Sequence, residues 1–399
     1  MENVLVLIVG AGPSGLAVAA CLSQLSIPYC IVESEDCSAS LWRKRTYDCL
    51  KLHLAKEFCE LPHMSYPCDT PKYIPKEYTS VESCKYDQVS NCWDVMAHDQ
   101  VNDLVMEYTA RFLVVATGEN SEGVIPEIPG LHGFPGEVIH SSSYKSWDDY
   151  AGKGVLVIGC GNSGMEIAYD LVKHGVDTSI VIHSPVRTYY INFKYNGLFF
   201  HACWNINHRA LLLTLLLFSL HKYVQLHVMT KGLINLVSIK FADFIIVTLA
   251  NIGLGDLSRY GILRPNMGPL LLKAKTGRSA VIDVGTTEFI KKEAIKVLGP
   301  ISCIRGNCVE FEDGKKRNFD SLVFATGYGY ESTANMWLKD DMSLLNDNGM
   351  PKRAFLIMCK GENGLYCVGM AMRGLAGISH DAKKVAADIK SIVDSMGLF

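Results

Sequence analysis

At 399 residues, 49% hydrophobic and 20% charged, the chain has room for two or three domains of ~150 residues and is too apolar for wholesale disorder. A net charge of -3 and the lack of any long Lys/Arg block argue against nucleic acid as a partner. The fourteen cysteines show no repeated spacing, which suits free thiols in a reducing compartment, and the N-terminus has neither a charged leader nor a cleavage site. A cytoplasmic protein without signal peptide, transmembrane span or metal site is expected.

Val4 to Val9 is an apolar, β-branched run suited to a buried parallel strand. Gly10, Gly12 and Gly15 follow at dinucleotide-binding spacing, with Pro13 and Ser14 between them. The first glycine allows a tight turn, the second lets a pyrophosphate approach the backbone, and the third lets a helix over Leu16–Leu25 pack on the strand. A second strand, in YCIVES, leads to Glu33, an acid 18 positions past Gly15 and placed to bind ribose hydroxyls. As the unit that opens the chain, it is read by fold analogy as the FAD site.

The pattern recurs in VLVIGCGNSGMEIA. Gly154 to Gly159 supplies the strand, Gly159, Gly161 and Gly164 the turn, with Asn162 and Ser163 inside it, and Met165 to His174 the helix. The following strand, DTSIVIHSPVR, carries His183 and Ser184 where a ribose-binding acid would stand, and Arg187 lies close by. An arginine can pair with a 2′-phosphate and no carboxylate repels it, which favours NADPH over NADH. Two further segments are also paired. ARFLVVATGEN, with Thr117 and Gly118, and FDSLVFATGYGY, with Thr326 and Gly327, each read as a buried strand ending in Ala-Thr-Gly. They are expected to return and close the two units.

The fold class expected is therefore α/β, two Rossmann-like dinucleotide-binding domains with the NADPH domain inserted into the FAD domain. Residues 1–150 form the first part of the FAD-binding domain, 151–327 the NADPH-binding domain and 328–399 the C-terminal part of the FAD-binding domain. The run ALLLTLLLFSL, Ala210 to Leu220, is too short to span a bilayer and reads as a buried helix.

Two nucleotide sites suit an enzyme that passes a hydride from a nicotinamide to a bound flavin. A disulfide reductase needs two cysteines beside the flavin. The spacing in SCIRGNC, Cys303 and Cys308, reads instead as two unpaired thiols in a strand pair. A simple NADH dehydrogenase and a flavin-containing monooxygenase are the other two classes. The monooxygenase pattern F-x-G-x-x-x-H-x-x-x-Y is complete as Phe134, Gly136, His140 and Tyr144, just before the second glycine turn.

LWRKRTYDCLKLHLAKEFCELP, GCGNSGMEIAYDL, GDLSRYGI, VIDVGT and FATGY together resemble the YUCCA branch of plant flavin monooxygenases. The resemblance implies oxidative decarboxylation of indole-3-pyruvate to indole-3-acetate with NADPH, oxygen and FAD, through a flavin hydroperoxide kept from water. It implies that Trp42 and Arg43 contact the FAD, that His53 reaches the flavin ring and that Asn120 contacts the ring or the nicotinamide. It implies a 2-oxo acid and oxygen as partners, and it leaves attachment to the endoplasmic reticulum face open. GMAMRGLAG, Gly369 to Gly377, precedes a last helix whose N-terminus would point at the flavin. The sequence departs from the family in two places. IPKEYTSVESCKYDQ joins segments that the family separates by a helix and a strand, and residues 187–225 have no recognised counterpart, their flanks reading as continuous without 188–225. A catalytically impaired relative that still binds nucleotide, or a monooxygenase of another small substrate, is the alternative.

Overall fold

The computed structural model describes residues 2–50, 61–63, 79–99, 103–118, 123–182, 190–192, 239–265, 267–276, 280–328, 334–338, 346, 352, 359–370 and 374–397. Contacts divide the chain into two units. Met1–Thr46, Leu54–Gly123 and Tyr328–Phe399 form the first, Tyr47–His53 and Val124–Gly327 the second.

In the first unit, β1 (Glu2–Val9) is followed by helix α1 (Pro13–Gln24), β2 (Tyr29–Val32) and a short helix α2 (Ser40–Lys44). Strands β3 (Thr79–Asp87), β4 (Cys92–Asp99) and β5 (Leu104–Val115) form an antiparallel meander. The sheet order is β2-β1-β5-β4-β3, with β1 parallel to both neighbours and the strand Leu365–Cys367 parallel to β5. Residues Val6 to Val9 are all buried, as expected for a parallel strand covered on both faces. The period of two sorts them. Val6 and Ile8 pack with Ala17, Val18 and Leu22 of α1 and with Val385 and Ile389 of the C-terminal helix Gly374–Ser395. Leu7 and Val9 pack with Trp93, Val95 and Trp337 on the other face.

The second unit has β6 (Glu137–His140), β7 (Gly154–Ile158), helix α3 (Asn162–Lys173), β8 (Asp177–Val181), β9 (Tyr190–Asn192), β10 (Val281–Asp283), β11 (Ile295–Leu298), β12 (Ile301–Arg305), β13 (Cys308–Phe311), β14 (Lys316–Asn318) and β15 (Ser321–Phe324). Its main sheet runs β11-β8-β7-β15-β6, parallel throughout. Val155 and Val157 face one core and Leu156 and Ile158 the other.

Residues 124–150, which the sequence places with the first domain, belong to the second unit. The cause is pairing: β6 adds to the edge of β15, and Tyr144 and Tyr150 are buried in the core around α3. The stretch 187–225 is also not wholly foreign to the fold, because β9 lies within it and pairs in parallel with β10. The apolar run Ala210–Leu220 lies outside the described residues. Among the described residues no helix is long and apolar enough to cross a membrane.

Candidate nucleotide-binding sites

The register of β1 against β2 and β5 brings three strand ends together, and the first glycine turn sits on them. The Gly10 amide donates to the Val32 carbonyl at 2.8 Å, and the Ala116 amide to the Val9 carbonyl at 2.9 Å. Gly10 has φ +108°, and a Cβ there would stand 2.5 Å from the Ala116 oxygen. A Cβ on Gly15 would stand 1.9 Å from the Gly10 oxygen, so α1 lies directly on the turn. At Gly12, by contrast, a Cβ would meet nothing within 4 Å. Gly12 is the N-cap of α1 with no side-chain cap, and Pro13 occupies the first helical position. The space beside the uncapped start of α1 is therefore clear at Gly12, and an uncapped helix start is where a pyrophosphate can be received.

Glu33 stands against this turn. Its Oε2 accepts the Ala11 amide at 2.5 Å and its Oε1 the Glu35 amide at 3.2 Å. Burial pushes its carboxyl pKa up, and the two amides oppose that shift. The Ala39 amide donates to the Ala11 oxygen at 2.8 Å and starts α2, which carries the exposed Trp42 and Arg43. Gly118, past the end of β5, has φ +83° and room for a side chain, with Thr117 before it. Gly369, which the sequence places before the last helix, has φ +81°, and a Cβ on it would stand 1.8 Å from Ser14 Oγ. The C-terminal segment thus closes onto the first turn of α1.

The second turn repeats this geometry. Gly159 has φ +116° with the Ala325 oxygen 2.3 Å from where a Cβ would be, Gly164 would meet the Gly159 oxygen at 2.0 Å, and Gly161 faces open space. Gly12 and Gly161 have nearly the same backbone angles, φ -71° ψ -177° and φ -72° ψ -174°. Both Ala-Thr-Gly segments thus have one physical role: the alanine carbonyl of the returning strand presses on the first glycine of its turn.

Some residues read as cofactor contacts have structural bonds. Asn162 Oδ1 accepts the Ile282 amide of β10 at 2.8 Å, and Thr286 Oγ1 donates to the Met165 oxygen at 2.7 Å, so VIDVGT clamps the start of α3. Thr326 Oγ1 donates to the Val124 carbonyl, and the Gly327 carbonyl accepts both the Val124 amide at 3.1 Å and His140 Nε2 at 3.0 Å. His53, Asn120, His183, Ser184 and Arg187 lie outside the described residues.

The residues of the monooxygenase pattern cement the second unit. Phe134 is buried with Phe319 and Phe324. A Cβ on Gly136 would stand 2.1 Å from the Asp320 oxygen and 2.7 Å from the Phe134 ring. Tyr144 donates to Asp170 Oδ2 of α3 at 2.7 Å. Cys303 and Cys308 are free thiols in β12 and β13, with Cys303 Sγ 3.4 Å from Glu310 Oε2.

The pyridine nucleotide-disulphide oxidoreductase family matches residues 80–195. The solved flavin-containing monooxygenase from Stenotrophomonas maltophilia superposes with a TM-score of 0.64 at 16% identity, covering 98% of this chain and 99% of that one. Two glycine turns, one unit inserted in the other, and this likeness define the two-domain flavin monooxygenase fold. The chain is 41% identical to the probable indole-3-pyruvate monooxygenase YUCCA10 of Arabidopsis thaliana over 99% of both chains. It is 38% identical to the indole-3-pyruvate monooxygenase YUCCA1 of Oryza sativa subsp. japonica over 96% of this chain and 90% of that one. The chain belongs to the YUCCA family of indole-3-pyruvate monooxygenases.

Proposed function

We propose that this chain oxidatively decarboxylates indole-3-pyruvate to indole-3-acetate with NADPH, oxygen and FAD. The observation that carries the reading is the open space at both Gly12 and Gly161, each on an uncapped helix start, in a chain of this family. In balance, the 2-oxo acid, oxygen, NADPH and a proton give the shorter acid, carbon dioxide, water and NADP⁺. When bound, FAD supplies hydride acceptance and oxygen activation.

The chain's own residues bind and orient. Gly10, Gly12, Pro13, Ser14 and Gly15 would hold the FAD pyrophosphate on the opening amides of α1, with Glu33 at the ribose. Trp42, Arg43, Thr117 and Gly118 would line the same cofactor. Gly159, Gly161, Asn162, Ser163 and Gly164 would take NADPH, chiefly through main-chain amides, and Arg187 its 2′-phosphate. Thr326 and Gly327 would close that site from the returning strand. His53 and Asn120 are assigned to the reacting end, where a hydrogen-bond donor and exclusion of water are needed. The reading places the protein in the cytoplasm, with the endoplasmic reticulum surface as a further location.

Purified protein should be yellow, bleach with NADPH without substrate or oxygen, and form one indole-3-acetate per indole-3-pyruvate consumed. A flavoprotein that NADPH reduces but that forms no product would be the impaired relative. Product from a different 2-oxo acid alone would reassign the substrate.

A further inference from the structure

The chain leaves the first unit at Thr46 and contributes Tyr47–His53 to the second. Tyr47 is buried beside the second glycine turn. Its hydroxyl donates to the carboxylate of Glu166, itself buried, and the Ser163 side chain lies close to the same phenol oxygen. Ser163 is the second residue of α3 and Glu166 the fifth. The Asp48 amide donates to the Lys145 carbonyl at 3.0 Å, and the Tyr47 ring meets the Tyr144 ring edge-on at 6.2 Å, so the segment is held on both sides. Burial first, and the Glu166 charge second, push the phenol pKa up, which keeps Tyr47 a donor throughout the working pH range.

We infer that Tyr47 is a positioning residue for the second nucleotide site: through Ser163 and Glu166 it fixes the first turn of α3 so that its amides face the space at Gly161. This rests on the reading of that turn as the NADPH site. The fold carries its own comparison. Tyr144 makes the same kind of bond to buried Asp170, four residues on from Glu166 and away from the glycine turn. Both bonds staple a tyrosine to α3, but only Tyr47 touches the turn.

The test is stopped-flow reduction of the FAD-loaded protein by NADPH. Saturable reduction in the parent establishes the second turn's ligand independently of Tyr47, and its absence would remove that reading itself. In Tyr47→Phe the NADPH concentration for half-maximal reduction should rise five- to twentyfold, with flavin content and limiting rate within twofold of the parent. Tyr144→Phe should leave the half-saturating concentration within twofold even where its melting temperature falls. Ser163→Ala should reproduce the Tyr47→Phe shift, and the double variant should be no worse than either single one. Should Tyr47→Phe fail to fold, Ser163→Ala against Tyr144→Phe makes the same comparison. Equal shifts in Tyr47→Phe and Tyr144→Phe, no shift in Ser163→Ala, or additive effects in the double variant would overturn the assignment.

Discussion

Gly12 and Gly15 lie three positions apart in one turn and face opposite surroundings: a Cβ at Gly12 would meet nothing within 4 Å, whereas one at Gly15 would stand 1.9 Å from the Gly10 oxygen. The fold needs Gly15, while only a ligand needs Gly12. Gly12→Val should therefore give folded, soluble protein without flavin, and Gly15→Val should not fold. Flavin absorbance with circular dichroism separates the two. A Gly12→Val protein that stays yellow would remove FAD from this turn.

The same contrast holds for Gly161 and Gly164. Gly161→Val should keep its flavin but lose NADPH-driven reduction by at least tenfold, which corresponds to about 1.4 kcal/mol of lost binding. Reduction at the parent rate would make the second turn a structural repeat rather than a nucleotide site.

Gly136→Ala tests whether the monooxygenase pattern acts through packing. The added methyl would press on the Asp320 carbonyl and the Phe134 ring. Overpacking of this kind costs about 1–3 kcal/mol, so the melting temperature should fall by several degrees while the remaining folded protein keeps its affinity for NADPH. An unchanged melting temperature with weakened NADPH binding would point to a direct role at the site.

His140 predicts a pH dependence. Its Nδ1 accepts the Ser142 amide at 3.2 Å and its Nε2 donates to the Gly327 carbonyl at 3.0 Å, so the ring is held neutral. Burial pulls its pKa below 6.5, opposed by the Gly327 bond. As pH falls through that value the unfolded chain takes up a proton that the folded chain refuses, and stability drops until the folded pKa is reached. Urea midpoints between about pH 7 and pH 5 should fall in the parent and fall less in His140→Gln. Equal slopes would show that the ring charges without penalty.

The glycine turns and the returning Ala-Thr-Gly strands were readable in the sequence because their determinants are local: an apolar run, a spacing of two and three, and a following helix. The partners of Tyr47 were not, since Glu166 lies 119 positions away and a tyrosine in a polar segment gives no local sign of a buried acid. The same holds for Asn162, whose bond to Ile282 depends on where β10 falls. The second unit begins at Val124 because β6 joins β15, and four residues of strand pattern cannot announce which sheet they will extend.

Where the second unit departs from the first and where it returns are neighbours in space. Gly123 bridges Tyr328, and the Val124 amide donates to the Gly327 carbonyl at 3.1 Å. An insertion whose two ends meet asks almost no loop-closure entropy of its host, whatever its length. The second unit is in that sense a cassette. Exchange with the matching unit of a relative should be tolerated at these two seams, provided that Tyr47–His53 travel with it, because that short stretch is spliced into the host sequence yet belongs to the guest.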